Sequence, residues 1–418
     1  MKTTYHLFER YGVELEYMIV ARDDLRVRPV ADELIRQACG EFASDVERGP
    51  ITWSNELVLH VIELKTTDPA TSLAGLAPAF QAEIQAMNGM LAPQGAQLMP
   101  TSMHPLMDPN TETRLWPHEY NPVYATFDRI FNCRGHGWAN VQALHLNLPF
   151  AGDEEFGRLH AAIRLVLPIL PALAASSPVA EGRFTGWADT RMEYYRNNSR
   201  RVPLVAGAVI PEPVFTPQEY RERILVPMYQ AIAPLDPEGV VQDEWLNARG
   251  TIARFVRDTF EIRVVDMQEC PAVDLALLGL IVAVLRGLVS ERWSDWRQQK
   301  SWDVPPLEAI MLATIRDAER AVIQDSAYLR LFGLDEQSCT AGRLWRHLYE
   351  QAQASELPAE FGAMLAALLQ HGSLATRIGR ALGPAPDRAR IAAVYESLCA
   401  CLQRGVPFGL DPDGSQKS

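Results

Sequence analysis

The sequence predicts an α+β fold, in which an antiparallel sheet is combined with helices and followed by an all-helical C-terminal region. Strand-like segments with alternating apolar residues occur at 12–20, 57–65, 140–149 and 257–266. They are far apart in the chain and do not alternate one for one with helices, as the strands of a doubly wound parallel sheet do. From residue 305 onward, only helical periodicity is visible. An antiparallel sheet therefore accounts for the pattern better than a parallel one.

The helical segments have apolar residues at three- and four-residue spacing, which predicts helices over 73–91 and 156–177. The most apolar segment, 271–289, is nearly long enough to cross a membrane, but it contains Asp274 and Arg286. It also begins with a proline, which suits the first turn of a helix. We therefore expect a helix buried in the core.

These patterns divide the chain into a mixed domain at 1–304, a helical region packed on it at 305–410, and a disordered tail at 411–418. The chain has 418 residues, of which 48% are hydrophobic and 22% are charged, a composition typical of globular proteins.

The formal net charge is -13, which argues against nucleic acids and anionic membranes as the main partners. It leaves open a small anionic ligand that binds through metal ions. The six cysteines form no CxxC or CxxH pattern, so we expect buried or free thiols in a reducing cytoplasm. The first residues contain no apolar run of signal-peptide length, which agrees with a cytoplasmic protein.

The first strand-like segment, GVELEY, carries Glu14 and Glu16 two positions apart. Side chains two apart in a strand lie on the same face, so the two carboxylates repel each other unless a positive group lies between them. A solvated face and a metal site both account for this pair.

The second segment, NELVLHVIELKT, contains Glu56 and Glu63. Glu63 shares a face with Lys65, whereas Glu56 would lie on the opposite face of an uninterrupted strand. Glu56 can join the other acids only if a turn or bulge separates it from the strand.

The third and fourth segments also carry polar side chains where apolar ones are usual. In VQALHLNLPF, His145 and Asn147 share one face; in DTFEIRVVD, Glu261, Arg263 and Val265 share one face. Taken alone, each glutamate is more often a solvated residue, and a lone histidine is more often a hydrogen-bonded core residue.

Taken together, the four segments gather five carboxylates and a histidine on one sheet face, which requires cations for stability. Ligand sets rich in oxygen suit Mg²⁺ or Mn²⁺. An arginine next to Glu261 suits a phosphate that bridges to such metals. No GxxxxGKS loop and no GxGxxG motif is present, so a bound nucleotide would be held in another way.

Five motifs over residues 5 to 290 occur in a recognisable order: GVELEY, NELVLHVIELKT, the HP of TSMHPLMDP, SSPVAEGRFTGWADTR and FEIRVVDMQECPAVDLAL. In this order they resemble the glutamate–cysteine ligase family, above all its bacterial carboxylate–amine ligase branch. The resemblance implies that 1–304 is a glutamine-synthetase-like catalytic domain, a curved antiparallel sheet with helices on its outer side. It implies ATP and Mg²⁺, with Mn²⁺ as a substitute, and no Walker motif. It also implies small-molecule substrates, a role in glutathione biosynthesis and a homo-oligomer as one option.

Carried over position by position, the resemblance assigns a role to each of ten residues. The implied metal ligands are Glu14, Glu16, Glu56, Glu63, His145 and Glu261. Arg263 would face the transferred phosphate and act with Glu261 in catalysis, and the implied substrate-binding residues are His104, Arg183 and Arg191. The ligase branch usually has HxH where this chain has Ala143 and His145. The segment is therefore closer to the HxN of true glutamate–cysteine ligases, which leaves the amine acceptor open.

The implied activity is ATP-dependent ligation through an acyl phosphate, with glutamate and cysteine as the expected substrates. Three alternatives stay open: a ligase for another acid or amine, a kinase that phosphorylates a guanidine on the same type of sheet, and an ATP-binding sensor without catalysis. The product distinguishes them, since only a ligase releases phosphate together with an amide.

Overall fold

A computed structural model describes residues 4–353 and 357–410. The strands are β1 (Gly12–Ala21), β2 (Asp45–Glu47), β3 (Ile51–Asn55), β4 (Val61–Thr66), β5 (Ala96–Met99), β6 (Ala143–Pro149), β7 (Val179–Ala180), β8 (Arg183–Phe184), β9 (Thr251–Arg254), β10 (Thr259–Asp266), β11 (Val322–Ile323) and β12 (Cys339–Thr340). The predicted tail at 411–418 lies outside the described residues.

The helices, with their bounds, are α1 (Ala31–Cys39), α2 (Ala77–Leu91), α3 (Pro109–Glu112), α4 (Asn121–Phe131), α5 (His136–Ala139), α6 (Gly152–Val166), α7 (Leu170–Ala174), α8 (Thr190–Tyr195), α9 (Pro217–Tyr220), α10 (Val226–Ile232), α11 (Pro271–Val289), α12 (Trp296–Lys300), α13 (Val304–Asp317), α14 (Ser326–Arg330), α15 (Ala341–Gln353), α16 (Ala359–His371), α17 (Leu374–Leu382) and α18 (Arg388–Arg404). Short 3₁₀ turns occupy Ala92–Gln94, Leu167–Ile169, Pro203–Val205, Glu244–Leu246 and Ala318–Arg320, and a π turn occupies Arg221–Leu225.

The centre of the described chain is an eight-stranded sheet with the order β2-β3-β4-β1-β6-β10-β9, in which β5 also pairs with β1. Its pairings are antiparallel, as predicted. β1 lies in the middle, paired with β4 over Glu14–Met18 and with β6 over Gly12–Leu15. Strands that are distant in the sequence are therefore direct neighbours.

The two faces of β1 pack against different partners. Val13, Leu15 and Tyr17 belong to the main hydrophobic core, together with apolar residues of α2, α6 and α11. On the other face, Met18 and Val20 continue the row that begins with the two glutamates, and they belong to a second apolar cluster with residues of α17 and α18. The helices α17 and α18 therefore pack on one end of the same sheet face that carries the acids, whereas α15 and α16 belong to the main core.

Two predictions about the elements are wrong. The strand predicted at 57–65 is interrupted, because β3 ends at Asn55, a turn follows, and β4 begins only at Val61. The region after 305 is not entirely helical, because β11 and β12 form a small antiparallel pair. The domain boundary at 304 stays a prediction. The six cysteines, all within the described residues, form no disulfide; Cys39 is exposed and the others are buried.

The apolar helix predicted at 271–289 is a buried core helix. Within the described residues, Gly152–Ala174 and Pro271–Val289 are long and apolar enough to cross a membrane by length and composition, yet 94% and 83% of their apolar windows are buried inside the fold. Such burial is what helices in the core of a large globular domain show.

Close packing of α11 on α16 leads to a first prediction. A Cβ at Gly279 would lie 2.6 Å from Cδ2 of Phe361, so Gly279→Ala should lower the free energy of unfolding by about 1–3 kcal/mol. The matched control is Gly89→Ala in α2, where a Cβ meets nothing within 4 Å and the higher helix propensity of alanine should stabilise by about 0.5–1 kcal/mol. Urea unfolding of both variants measures the difference; equal stabilities would contradict the packing.

Candidate active site

The antiparallel register arranges the predicted acids in rows across the sheet. Glu14 of β1 lies directly opposite Lys65 of β4 and opposite His145 of β6. Glu16 lies opposite Glu63. Directly opposed residues of an antiparallel pair point to the same face with their Cβ atoms about 5 Å apart. Glu14 and Glu16 therefore lie on one face of the sheet, as the alternation in GVELEY predicts, and they form a cluster there with their neighbours.

Glu56 reaches the same cluster from the turn between β3 and β4. One group of carboxylates consists of Glu16, Glu56 and Glu63, whose oxygens lie within 4.8 Å of one another. A second group, within the same limit, consists of Glu14, Glu63 and His145. Because Glu56 lies in the turn and not in β4, the alternation of faces along a strand does not determine the direction of its side chain.

His145 lies between two of the glutamates. Its Nδ1 is 2.8 Å from Oε2 of Glu14, and its Nε2 is 3.7 Å from Oε1 of Glu16. Asn147 donates a hydrogen bond of 3.0 Å to the other oxygen of Glu14, and the Ala143 amide donates one of 2.8 Å to Oε2 of Glu16. Two side chains and one backbone amide of β6 thus hold both glutamates of β1 in place.

Glu261 of β10 lies opposite Asn147 and is held by two arginines. Nη1 of Arg254 donates to Oε2 of Glu261 at 2.9 Å, and Nε of Arg263 lies 3.4 Å from Oε1. The register shifts between Ile262 and Val265, which places Val265 opposite Leu144. The prediction that Val265 shares the face of Glu261 is therefore wrong, because a bulge reverses the alternation of the strand.

Burial and mutual repulsion set the protonation of the cluster. Burial, with the charges of Glu16 and Glu63, raises the pKa of Glu56 well above its usual range, and burial with Glu14 raises the pKa of Glu63 to about 7. Burial also raises the pKa of Glu16. The cluster therefore binds either protons or other cations.

The pKa values of Glu14 and His145 shift in the directions that favour their charged forms, because the two side chains form an ion pair. Burial opposes ionisation of Glu14, but the hydrogen bond from His145 lowers the pKa of Glu14 to about 2. Burial likewise opposes protonation of His145, yet Glu14 and Glu16 raise its pKa to about 9. Without a metal, His145 is an imidazolium at neutral pH.

The directions of these pKa shifts predict how the free energy of unfolding changes with pH. The pKa of Glu63 is raised from 4.5 to about 7 in the folded state, so its protonation stabilises the fold below pH 4.5, and that stability is lost as pH rises through 7. His145, raised from 6.5 to about 9, contributes in the same direction at higher pH. Glu63 alone should cost metal-free protein about 2–3 kcal/mol between pH 5 and 8, and His145 adds to this loss.

Thermal unfolding in EDTA and in Mg²⁺ across this range measures the effect. Mg²⁺ should flatten the profile, because the ion takes the place of the protons. A metal-free melting temperature that rises steadily from pH 5 to 8 would contradict it.

A cavity of about 600 Å³ opens over this part of the sheet. All six predicted metal ligands line it, and so do Arg191 and Arg263; the six are Glu14, Glu16, Glu56, Glu63, His145 and Glu261. Its further lining includes the aromatic side chains of Phe127, Trp138 and Trp245. The structure thus brings together eight of the ten residues singled out from the sequence, while their roles as ligands stay predictions.

Arg191 is fixed within this wall by a buried ion pair. Its side chain is 1% exposed, and Nε donates to Oδ1 of Asp266 at 2.5 Å. Its Nη2 has no hydrogen-bond partner within the described structure. A buried guanidinium group with an unused donor on the cavity wall is suited to bind an anionic group.

His104 and Arg183 do not line this cavity, and their assignment as substrate-binding residues stays a prediction. Both ring nitrogens of His104 are engaged by the backbone: Nε2 lies 2.6 Å from the Leu25 carbonyl, and Nδ1 accepts from the Leu106 amide. Arg183 is 76% exposed and pairs with Glu181 in a short hairpin. His104 stabilises a loop, and Arg183 lies on the surface.

Sequence reasoning missed three residues on the cavity wall. Arg254 pairs with Glu261, and the amide group of Gln142 and the hydroxyl of Tyr195 have no partner within the described residues. Gln142 directly precedes β6 and lies inside the strand predicted at 140–149, so its nearness to His145 was the available signal. Tyr195 lies in the arginine-rich segment EYYRNNSRRVP, whereas Arg254 lies in a segment without a distinctive pattern.

The donor set fits the cofactors that the resemblance implies. Carboxylate oxygens at the spacing of the two groups are the ligands Mg²⁺ and Mn²⁺ prefer, and the raised pKa values of Glu56 and Glu63 reflect repulsion that a cation relieves. Arg191, Arg254 and Arg263 add positive charge to the same cavity, Arg254 and Arg263 next to Glu261, which suits phosphate groups.

A family model described as glutamate–cysteine ligase family 2 (GCS2) matches residues 10–397. The chain belongs to this family. Membership makes it a ligase of the carboxylate–amine class.

An Archaeoglobus fulgidus protein described as uncharacterized is 31% identical over 380 residues, covering 91% of this chain and 95% of the relative. A Rubrobacter xylanophilus protein, provisionally named glutamate–cysteine ligase 2-3, is 29% identical over 44% of this chain and 47% of its own.

Among solved structures, this ligase is similar to the glutamate–cysteine ligase of Francisella tularensis in complex with AMP. The TM-score is 0.59 at 10% sequence identity, over 96% of this chain and 90% of the other. At this identity the likeness establishes the fold, which agrees with the predicted glutamine-synthetase type. The AMP belongs to the Francisella protein.

Proposed function

We propose that this ligase uses ATP to join a carboxylate to an amine through an acyl phosphate, with glutamate and cysteine as the preferred pair. The observation that carries the proposal is one cavity in which four glutamates and a histidine from β1, β4, β6 and the β3–β4 turn meet Glu261 and four arginines. Such an arrangement serves phosphoryl transfer, which depends on positioning and on charge stabilisation.

The acidic side of the cavity would hold Mg²⁺ or Mn²⁺ through Glu16, Glu56 and Glu63, with Glu14, His145 and Glu261 as further candidates. When bound, the ion neutralises phosphate charge and aligns the reacting oxygens. His145, Asn147 and the Ala143 amide keep the glutamates of β1 in position, as their hydrogen bonds show. These groups therefore preorganise the site.

Next to Glu261, Arg263 would stabilise the oxygens of the transferred phosphoryl group. Glu261 lies 3.4 Å from its Nε, and the Asn247 carbonyl accepts from its Nη1 at 3.2 Å, so the guanidinium is oriented before substrate arrives. Arg191, with its unused Nη2, would bind a carboxylate of the acid substrate. Phe127, Trp138 and Trp245 supply an apolar wall for the organic parts of the substrates.

The chemical need for ATP is plain, because a carboxylate oxygen is a poor leaving group in attack by an amine. Phosphorylation of the carboxylate converts that oxygen into phosphate, which the amine then displaces. Atoms balance as ATP, acid and amine giving ADP, phosphate and amide.

The test is ADP release by purified protein with Mg²⁺, glutamate and a panel of amines and amino acids, followed by mass spectrometry of the product. We expect ADP and phosphate in equal amounts with an amide, dependent on both substrates. A stable N-phosphate would show kinase chemistry instead, and ATP binding without turnover for any pair would support a sensor. A different preferred acid or amine would keep the ligase and change the pair.

A further inference from the structure

Arg191 is held in the cavity wall mainly by one carboxylate, that of Asp266. Nε of Arg191 donates to Oδ1 of Asp266 at 2.5 Å, and neither side chain is more than 1% exposed. Nη1 makes one long contact of 3.5 Å to the Arg263 carbonyl, and Nη2 has no hydrogen-bond partner among the described residues. The fold therefore uses chiefly Nε, so the direction of the two terminal nitrogens depends on Asp266.

Asp266 is itself fixed through its second oxygen. Oδ2 accepts from the Ser176 amide at 2.7 Å, from Oγ of Ser176 at 3.2 Å and from Oγ of Ser177 at 3.1 Å. Oγ of Ser177 also accepts from the Arg191 amide at 3.1 Å, so it contacts both members of the ion pair. Both serines are completely buried. The carboxylate cannot turn without leaving buried hydrogen-bonding groups unpaired, which is unfavourable.

Asp189 lies beside this pair as a second carboxyl group. Burial, with the charge of Asp266, raises the pKa of Asp189 well above its usual range, and the charge of Arg191 offsets only part of the shift. Asp189 is therefore neutral at pH 7, while its Oδ1 accepts from the Met192 amide at 2.9 Å and caps the start of α8. The negative charge that faces Arg191 belongs to Asp266.

Helix α17 bonds to both segments that meet at Asp266. The Ala375 amide, in the first turn of this helix, donates to the Ala175 carbonyl at 2.8 Å, directly before the two serines. Arg377 forms the buried pair with Glu269, three residues after Asp266. The place of Asp266 therefore depends on α17 from two directions.

Helix α13 supports the segment that carries Arg191. The Asp189 amide donates to the Ile315 carbonyl at 3.0 Å, and the Ala188 amide donates to the Arg316 carbonyl at 3.0 Å. Both carbonyl groups lie in the last turn of α13, where helical carbonyls have no partner within their own helix. Arg191 is the second residue of α8, which begins directly after these bonds.

We propose that Asp266 is a positioning residue for the acid substrate: with Ser177 it directs the terminal nitrogens of Arg191 into the cavity, and helices α13 and α17 fix this arrangement. The inference rests on the proposed function, because it takes Arg191 as the group that binds a carboxylate of the acid substrate. It adds that the helices after residue 305 determine substrate affinity as well as packing.

The test compares two changes of equal size in the same buried cluster, by steady-state ADP release of the full chain at varied glutamate. In Asp266→Asn one oxygen becomes a donor, so the side chain can no longer accept from both Arg191 and the serines. We expect KM for glutamate to rise at least about tenfold, with a smaller fall in kcat and KM for ATP within about twofold. Asp189→Asn is the matched control, because a neutral amide replaces a neutral carboxyl group. Its KM for glutamate should stay within about twofold of wild type.

The part assigned to the helices is tested at Arg377, outside the cavity lining. Arg377→Lys keeps the charge but loses the two-pronged geometry, and it should raise KM for glutamate about threefold at a temperature where the variant is folded. Arg380→Lys, an exposed position on the same helix, should leave KM unchanged. Equal KM values for these two variants would remove the helices from the inference.

A KM for glutamate that Asp266→Asn leaves unchanged, or that Asp189→Asn raises equally, would overturn the inference. If circular dichroism shows that Asp266→Asn does not fold, Ser177→Ala decides: it should raise KM for glutamate about threefold, and an unchanged KM overturns the inference. Wild-type turnover separates the two proposals. If wild type releases ADP with glutamate and an amine while the variants keep its KM, the inference fails alone. If wild type shows no acid-dependent ADP release, the proposed function fails and the inference fails with it.

Discussion

Glu63→Gln should reduce ADP release by at least about 100-fold, the size of loss expected when a charge-stabilising contact is removed from a phosphoryl-transfer site. Glu63 is the one residue common to both carboxylate groups, so the change weakens both. Glutamine has nearly the same size, which keeps the packing of β4. Steady-state ADP release at saturating substrates measures the loss.

The same variant should become more stable without metal. Ionised Glu63 is buried next to Glu14 and Glu16, and its raised pKa means that ionisation opposes folding at pH 8. We expect the free energy of unfolding in EDTA to rise by about 1–3 kcal/mol at pH 8 and to change little at pH 5. Mg²⁺ should no longer raise the melting temperature.

The matched control is Glu47→Gln on the exposed edge strand β2, outside the cavity lining. It should change neither activity nor stability by a measurable amount. Activity of Glu63→Gln within tenfold of wild type would be incompatible with a metal site at these residues.

Arg377→Met should lower the free energy of unfolding by about 3–5 kcal/mol, because it leaves a carboxylate buried without its partner. Arg377 of α17 and Glu269, just before α11, are 3% and 0% exposed and form a two-pronged pair, with Nη2 3.2 Å from Oε2. The Phe408 amide donates to the same carboxylate at 2.9 Å, so the pair joins the C-terminal helices to the rest of the fold.

Urea unfolding of full-length protein measures this loss. Arg380→Met, an exposed position on the same helix, is the control and should change stability by less than about 0.5 kcal/mol. The double variant with Glu269→Gln should recover part of the loss, since the buried charge is then removed. A loss below 1 kcal/mol for Arg377→Met would show that the pair is not buried in solution.

The central strands and most of the acid cluster could be predicted from the sequence because a strand has a strict period of two. Glu14, Glu16 and His145 obey it, and a polar residue recurring on one face of an apolar strand is visible in a single sequence. The family resemblance then joined segments that periodicity alone could not pair.

Some positions could not be read from the sequence alone, for specific physical reasons. Glu56 lies in a turn, and Val265 follows a bulge, so neither position can be read from strand parity. His104 is a histidine in a recognised motif, but backbone groups engage its ring, which only the three-dimensional structure reveals. Arg254 joins Glu261 through the pairing of β9 with β10, a contact with no sequence pattern.

The register of β1 has a consequence for how the protein matures. The cavity that its glutamates line also contains Glu63, His145 and Glu261, so ribosomes must synthesise most of the sheet before a complete binding site can exist. Contacts of such long sequence separation form late and slowly. Uptake of a divalent ion should therefore be the final event of folding, and the appearance of ion affinity during refolding would time the closure of the whole sheet.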